Sequence, residues 1–89
     1  MSSEINDALD AMAKAHPGTA LRYVAAHLTP ERLDACATSS PGAALHYAAG
    51  FLTPERLDEC AAHEPWCALR YAAEHLTPER RAWCEEAER

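Results

Sequence analysis

The chain has 89 residues, with 8 Lys and Arg against 14 Asp and Glu and a net charge of −6. At that length it makes one domain whose parts must share a core to be stable, and an acidic balance argues against direct binding to nucleic-acid phosphates, which takes clustered Lys and Arg. No stretch approaches the roughly 20 apolar residues of a membrane span, and Met1, Ser2, Ser3 and Glu4 lack the basic start and apolar run of a signal peptide; the expectation is a cytoplasmic protein with reduced cysteines and no membrane contact.

The first predicted element is a helix over about 4 to 15, with Ile5, Leu9, Met12 and Ala13 on one face and Glu4, Asp7, Asp10 and Lys14 on the other. After it the chain repeats itself. Pro17, Pro41 and Pro65 open three copies that begin HPGTALRYVAAHLTPERLDACATS at His16, SPGAALHYAAGFLTPERLDECAAH at Ser40 and EPWCALRYAAEHLTPERRAWCEEAER at Glu64. A fixed period of this length marks a solenoid, in which each unit buries its apolar face only against its neighbours. The expected organisation is all-α: a half-repeat at 1–15, repeats at 16–39, 40–63 and 64–89, and a single domain over 1–89.

Each copy holds two helix starts, because proline is favoured at the first helical position, where its missing N–H costs nothing. Thr29, Thr53 and Thr77 precede such a proline as capping hydroxyls, with a Glu just after it. Ser40 is placed to cap before Pro41; His16 and Glu64 are poorer at that position. The predicted helices run over about 17–27, 30–38, 41–51, 54–62, 65–75 and 78–88. In the first helix of each unit (the A helix) the buried stripe is Leu21, Val24, Ala25, Leu28, then Leu45, Ala48, Ala49, Leu52, then Leu69, Ala72, Ala73, Leu76. The second (B) helix repeats it as Leu33, Cys36, Ala37 and Leu57, Cys60, Ala61. At the ends the pattern changes. Met12 takes the Cys position in the half-repeat, whereas the last B helix has Arg81 and Glu85 at core positions and keeps Trp83, Cys84 and Ala87 apolar, so the chain reads as a capped, complete array.

The unit A-L-x-Y-A-A-x-x-L followed by T-P-E-R-L resembles the 24-residue leucine-rich repeat variant family, alpha solenoids that alternate two kinds of short helix. It is also similar to uncharacterised bacterial and protist helical repeats with an "aLxYA" core. The likeness covers residues 16 to 84 and rests on packing positions. It implies a solenoid fold; one member of the first family carries an iron–sulfur cluster on a separate Cys cluster that has no counterpart here, so no cofactor is implied.

Candidate sites lie on both kinds of helix. Tyr23, Tyr47 and Tyr71 fall opposite the main A stripe, with Arg22, His46 and Arg70 beside them and His27, Phe51 and His75 one turn on. Such residues dominate protein-binding hot spots, although each ring also suits packing between successive A helices with only its hydroxyl wet. Trp66 and Trp83 occur only in the last unit, Trp66 at the place of Gly18 and Gly42, and suit either a binding anchor or closure of the end of the stack. Glu31, Asp34, Glu55, Asp58 and Glu79 form an acidic ladder able to imitate phosphates or steer a basic partner, with Arg32, Arg56 and Arg80 balancing it. Cys36, Cys60 and Cys84 recur at the unit period, roughly 10 Å apart, too far for a disulfide or a shared metal and suited to a core. Only Cys60, His63 and Cys67 have metal-like spacing, and no zinc-type CxxC pair accompanies them.

No nucleophile motif, glycine-rich phosphate loop or HExxH occurs. The expected function is therefore non-enzymatic: a small acidic inhibitor of the phage or mobile-element kind, anti-CRISPR-like in size and charge, that occupies the surface of a partner protein, such as one that binds nucleic acid. The partner-binding residues would be Tyr23, Tyr47, Tyr71, Trp66, Trp83, Arg22 and Arg70, with no cofactor and no metal. A self-associating structural module, an acidic nucleic-acid mimic, and a metal or redox module at Cys60, His63 and Cys67 are the alternatives, and the oligomeric state stays open.

Overall fold

The computed structural model describes residues 2–88. Among them are seven α-helices and no strand: α1 (Ser2–Ala15), α2 (Pro17–Val24), α3 (Pro30–Ser39), α4 (Pro41–Tyr47), α5 (Pro54–His63), α6 (Pro65–Tyr71) and α7 (Pro78–Ala87). The A helices α2, α4 and α6 stack in one row and the B helices α1, α3, α5 and α7 in another, each A helix also packing on the B helices before and after it. The result is a rod with extents of 48 × 18 × 15 Å. None of the described helices is long and apolar enough to cross a membrane.

The B helices start where their caps dictate. Thr29, Thr53 and Thr77 accept the backbone N–H of Arg32, Arg56 and Arg80 at 3.1–3.2 Å, satisfying one of the donors that the first turn leaves without a partner. Before the A helices no side chain does this. Ser40, expected to cap, makes no side-chain cap bond, and neither do His16 and Glu64; their backbone carbonyls instead accept from Ala20, Ala44 and Ala68. The common element is proline at the first helical position.

The A helices are shorter than their apolar periodicity suggests. Predicted as unbroken over 17–27, 41–51 and 65–75, they stop at Val24, Tyr47 and Tyr71, and a 3₁₀ turn follows at Ala25–His27, Ala49–Phe51 and Ala73–His75. Val24, Ala48 and Ala72 sit near φ −130°, ψ +15°, and no proline or glycine stands at these positions to cause the break. The tighter turn brings Leu28, Leu52 and Leu76 into extended geometry, which leads the chain straight into the extended Thr cap of the next helix. Reversal of the chain at each repeat, a tertiary requirement, overrides the helical propensity of alanine.

The core follows the expected stripes with two changes. Leu21, Leu45, Cys36, Cys60 and Cys84 are the largest fully buried side chains, and Ala25, Leu33, Ala37, Ala48, Ala49, Leu57, Ala61 and Ala72 join them. Ala20, Ala44 and Ala68, outside the predicted stripe, are completely buried; a side chain this small one residue before the core Leu lets neighbouring A helices approach. Conversely, Ile5 is 59% exposed and Trp83 45% exposed, and Ala87 is exposed, so the apolar face assigned to α7 reduces to Cys84. The buried thiols do more than fill space: Cys36, Cys60 and Cys84 donate S–H bonds to the carbonyls of Ala13, Ala37 and Ala61, one unit back, at 3.7–3.8 Å.

Candidate interaction face on the A helices

The stacking of A helices aligns residue 22, 46 or 70 of one unit with the tyrosine of the next. Arg22 places its guanidinium carbon 5.0 Å from the ring centre of its own neighbour Tyr23 and 5.4 Å from that of Tyr47. His46 repeats the arrangement with imidazole, stacked 3.9 Å from Tyr47 and 3.7 Å from Tyr71, ring planes within 23°. Arg70 has no further tyrosine to meet; it lies 5.5 Å from Tyr71 and 5.4 Å from Trp66, and Trp66 meets Tyr71 edge-on at 6.1 Å. The order along the rod is Tyr23, Arg22, Tyr47, His46, Tyr71, Arg70, Trp66, a single column in which rings alternate with nitrogen-bearing planar groups.

This column is on the surface. Tyr23 is 63% and Trp66 53% exposed; Arg22, His46, Tyr47 and Arg70 are exposed and Tyr71 half-buried. The tyrosines are thus spaced by Arg22 and His46 instead of being wedged between helices. The position of Trp66 has a steric cause. A Cβ built on Gly18 would lie 3.8 Å from the Cβ of Ala43, and one on Gly42 would lie 3.6 Å from Sγ of Cys67, so at both sites the next unit leaves room for little more than a methyl group. At residue 66 the equivalent space is open, and the indole occupies it.

His27, Phe51 and His75 do not extend the column. Each lies over the B helix of the preceding unit, His27 beside Leu9 and Arg32, Phe51 beside Leu33 and Asp34, His75 beside Leu57 and Asp58, in clefts of only about 20–40 Å³. Trp83 also stands apart from Trp66: it covers Arg80, whose guanidinium carbon is 4.6 Å from the ring, beside a shallow recess of about 310 Å³ bordered by Asp58, Thr77 and Glu79. The two tryptophans therefore serve different sides of the last repeat.

The B side carries a different ladder, which the sequence reading missed. Arg32 binds Asp10 through Nε at 2.6 Å, Arg56 binds Asp34 at 2.7 and 3.0 Å, and Arg80 binds Asp58 at 2.7 and 2.9 Å. Each pair joins residues 22 apart, so each clamps one unit to the one before it. The guanidinium bonds hold all three aspartates below the ordinary carboxylate range. Asp34 and Asp58 consequently offer no free charge to a partner, and of the acidic ladder only Glu31, Glu55 and Glu79 remain exposed without an ion pair. The signal was present in the sequence, since Asp10, Asp34 and Asp58 recur at the same period as Arg32, Arg56 and Arg80; it is read only by pairing positions across units.

Three of the four thiols, Cys36, Cys60 and Cys84, are buried, and Cys67 is half-buried. Burial raises the Cys36, Cys67 and Cys84 thiols above their usual range and pushes Cys60 up to about 11, away from the thiolate that binds metals or attacks disulfides. Among the described residues no group of three His, Cys, Asp or Glu side chains is placed to hold a metal ion; Cys60, His63 and Cys67 do not converge.

The chain matches no protein-family model, no curated protein and no solved structure.

Proposed function

We propose that this protein is a non-enzymatic binding module that acts by occupying the surface of a partner protein, with the aromatic and cationic column of the A helices as its working face. One observation carries the reading: seven side chains that the core does not need, from Tyr23 to Trp66, form a continuous exposed column. Held by mutual stacking, these rings and guanidinium groups lose little freedom on binding, and Tyr, Trp and Arg supply most hot-spot energy in protein interfaces. The small acidic inhibitor of a cytoplasmic target, of the phage or mobile-element kind, is one form such a binder takes. The alternative of a nucleic-acid mimic is weakened, because two of its five carboxylates are committed to Arg56 and Arg80.

The test is comparative capture from a bacterial lysate with mass spectrometry. Tagged wild type, Tyr47→Ala, Trp66→Ala and the triple variant Glu31→Gln, Glu55→Gln, Glu79→Gln are compared after circular dichroism shows that each is folded. Loss of an anchor typically costs about 2 kcal/mol or more, roughly thirtyfold in affinity. Partner loss with the aromatic variants supports the proposal; partner loss confined to the glutamate variant would replace it with the mimic.

A further inference from the structure

We infer that the column takes an acidic segment of its partner, with two carboxylates of that segment bound by Arg22 and Arg70. This rests on the A face being the binding face and names what the face recognises.

The first ground is the distribution of charge. Lys14 and Arg32 pair with Asp10, Arg56 with Asp34, Arg80 with Asp58 and Arg81 with Glu85. Among the described Lys and Arg residues, Arg22 and Arg70 alone have no carboxylate partner, in a chain where acids outnumber bases 14 to 8. The acids are kept elsewhere: residues 16–28 and 40–52 contain none, and 64–76 contain only Glu64 and Glu74. Two bases with no counterion, in a molecule with acid to spare, leave an opening for an external carboxylate.

The second ground is geometry. Tyr47 has Arg22 on one side and His46 on the other, and Tyr71 has His46 and Arg70. A nucleic-acid base that needs a free aromatic face finds these taken. Apart from the exposed rings of Tyr23 and Trp66 at its two ends, what the column still offers is hydrogen-bond donors: the guanidinium N–H groups, of which only Nε of Arg70 is used internally, on the Tyr71 hydroxyl, and the phenolic O–H groups. Donors call for anionic acceptors, and a guanidinium fits a carboxylate bidentately. The surrounding charge of −6 opposes a polymer with a phosphate at every residue far more than a segment bringing two carboxylates. Arg22 and Arg70 are two units apart, roughly 16–20 Å at ordinary helix spacing.

That separation supplies a ruler. In fluorescence anisotropy with the full chain, the probe is a labelled proline-rich 12-residue peptide carrying two Glu six residues apart, about 19 Å in the polyproline helix. It should bind; one with the two Glu adjacent, able to reach only one guanidinium, should bind about tenfold more weakly, and its Gln version, lacking both carboxylates, about a hundredfold more weakly. Arg22→Gln and Arg70→Gln should each lower affinity about tenfold, the worth of one charge-assisted bond, and reduce the salt dependence. His46→Arg, which adds a third guanidinium to the row, should tighten binding. Each of the three removes a ring-stacking or cation–π contact but no ion pair, so circular dichroism and a melting curve accompany each variant and binding is compared among folded proteins only.

No binding of the Glu probe at millimolar concentration, equal binding of the Gln probe, or tighter binding of a single-stranded 12-nucleotide RNA would overturn the inference. Lysate capture separates it from the broader reading: partner lost by Tyr47→Ala but kept by the Arg22→Gln, Arg70→Gln double variant leaves the A face as the binding site and removes the acidic segment. A partner kept by both sets of variants removes both.

Discussion

Both sides of this rod carry arginines, and they use them in opposite ways. On the B side Arg32, Arg56 and Arg80 reach back to the aspartate of the preceding unit and spend their charge on it. On the A side Arg22 and Arg70 lie among aromatic rings and keep theirs. The difference follows from which residues surround each row: aspartates recur on the B helices, while the A helices contain no acid. An arginine held by stacking is positioned but unneutralised, so it remains available to a second molecule. An arginine held by a carboxylate is structural. The B row is cohesive, and the A row keeps the free charge on which the proposed recognition depends.

The largest effects should come from the core beneath the two faces, and they test whether A and B helices contribute alike. Leu45→Ala in α4, where the side chain is fully buried, and Leu57→Ala in α5, 7% exposed, should each cost about 2–5 kcal/mol, with Leu45 the more damaging. Urea melts followed by circular dichroism measure this; equal losses would mean the two rows are packed alike. Because a domain of this size has only about 5–15 kcal/mol in total, either variant should be close to unfolding at moderate urea.

Helix starts sharpen the comparison at a smaller scale. Thr53→Ala removes a hydroxyl that accepts the Arg56 N–H and should cost about 0.5–2 kcal/mol. Ser40→Ala removes a hydroxyl that caps nothing and should stay within about 0.5 kcal/mol of wild type. A comparable loss at both sites, read from melting midpoints, would show that the A helices rely on a cap after all.

Charge distinguishes the faces through pH. The Asp34 and Asp58 carboxyls have lowered folded pKa values owing to their guanidinium bonds, so the stability they contribute is fully present above the unfolded aspartate value of about 3.9 and is lost as pH falls through the lower folded value. Asp34→Asn should therefore cost a little stability at neutral pH and flatten the acid limb of the stability profile, whereas Arg22→Gln should leave that limb unchanged. The two carboxylates are about half exposed, so the effect is small and fades with salt. An acid limb unchanged in Asp34→Asn would mean the B ladder does not hold the repeats.

The smallest effect is one of reactivity. With a thiol reagent at pH 8, half-buried Cys67 should react first, while Cys36, Cys60 and Cys84, buried and with thiols raised by desolvation, should wait for local opening. Mass spectrometry of the labelled chain counts the sites, and rapid modification of Cys60 would contradict its placement in the core.

By itself the sequence determined whatever depends on local chemistry and on period. The Thr-Pro starts of α3, α5 and α7, the all-α repeat and the burial of Cys36, Cys60 and Cys84 were all legible, because a cap acts within one turn and a fixed period requires neighbouring units to meet in the same way. Tertiary structure decided the rest. No proline or glycine stands at Val24, Ala48 or Ala72, where the A helices give way to 3₁₀ turns that reverse the chain; the burial of Ala20, Ala44 and Ala68 depends on how closely A helices approach. The pairing of Arg56 with Asp34, and the placing of Arg22 between Tyr23 and Tyr47, join residues 22 to 25 positions apart along the chain. Such contacts exist only once the angle and rise between repeats are set by packing, and they decide which arginines are neutralised and which keep their charge.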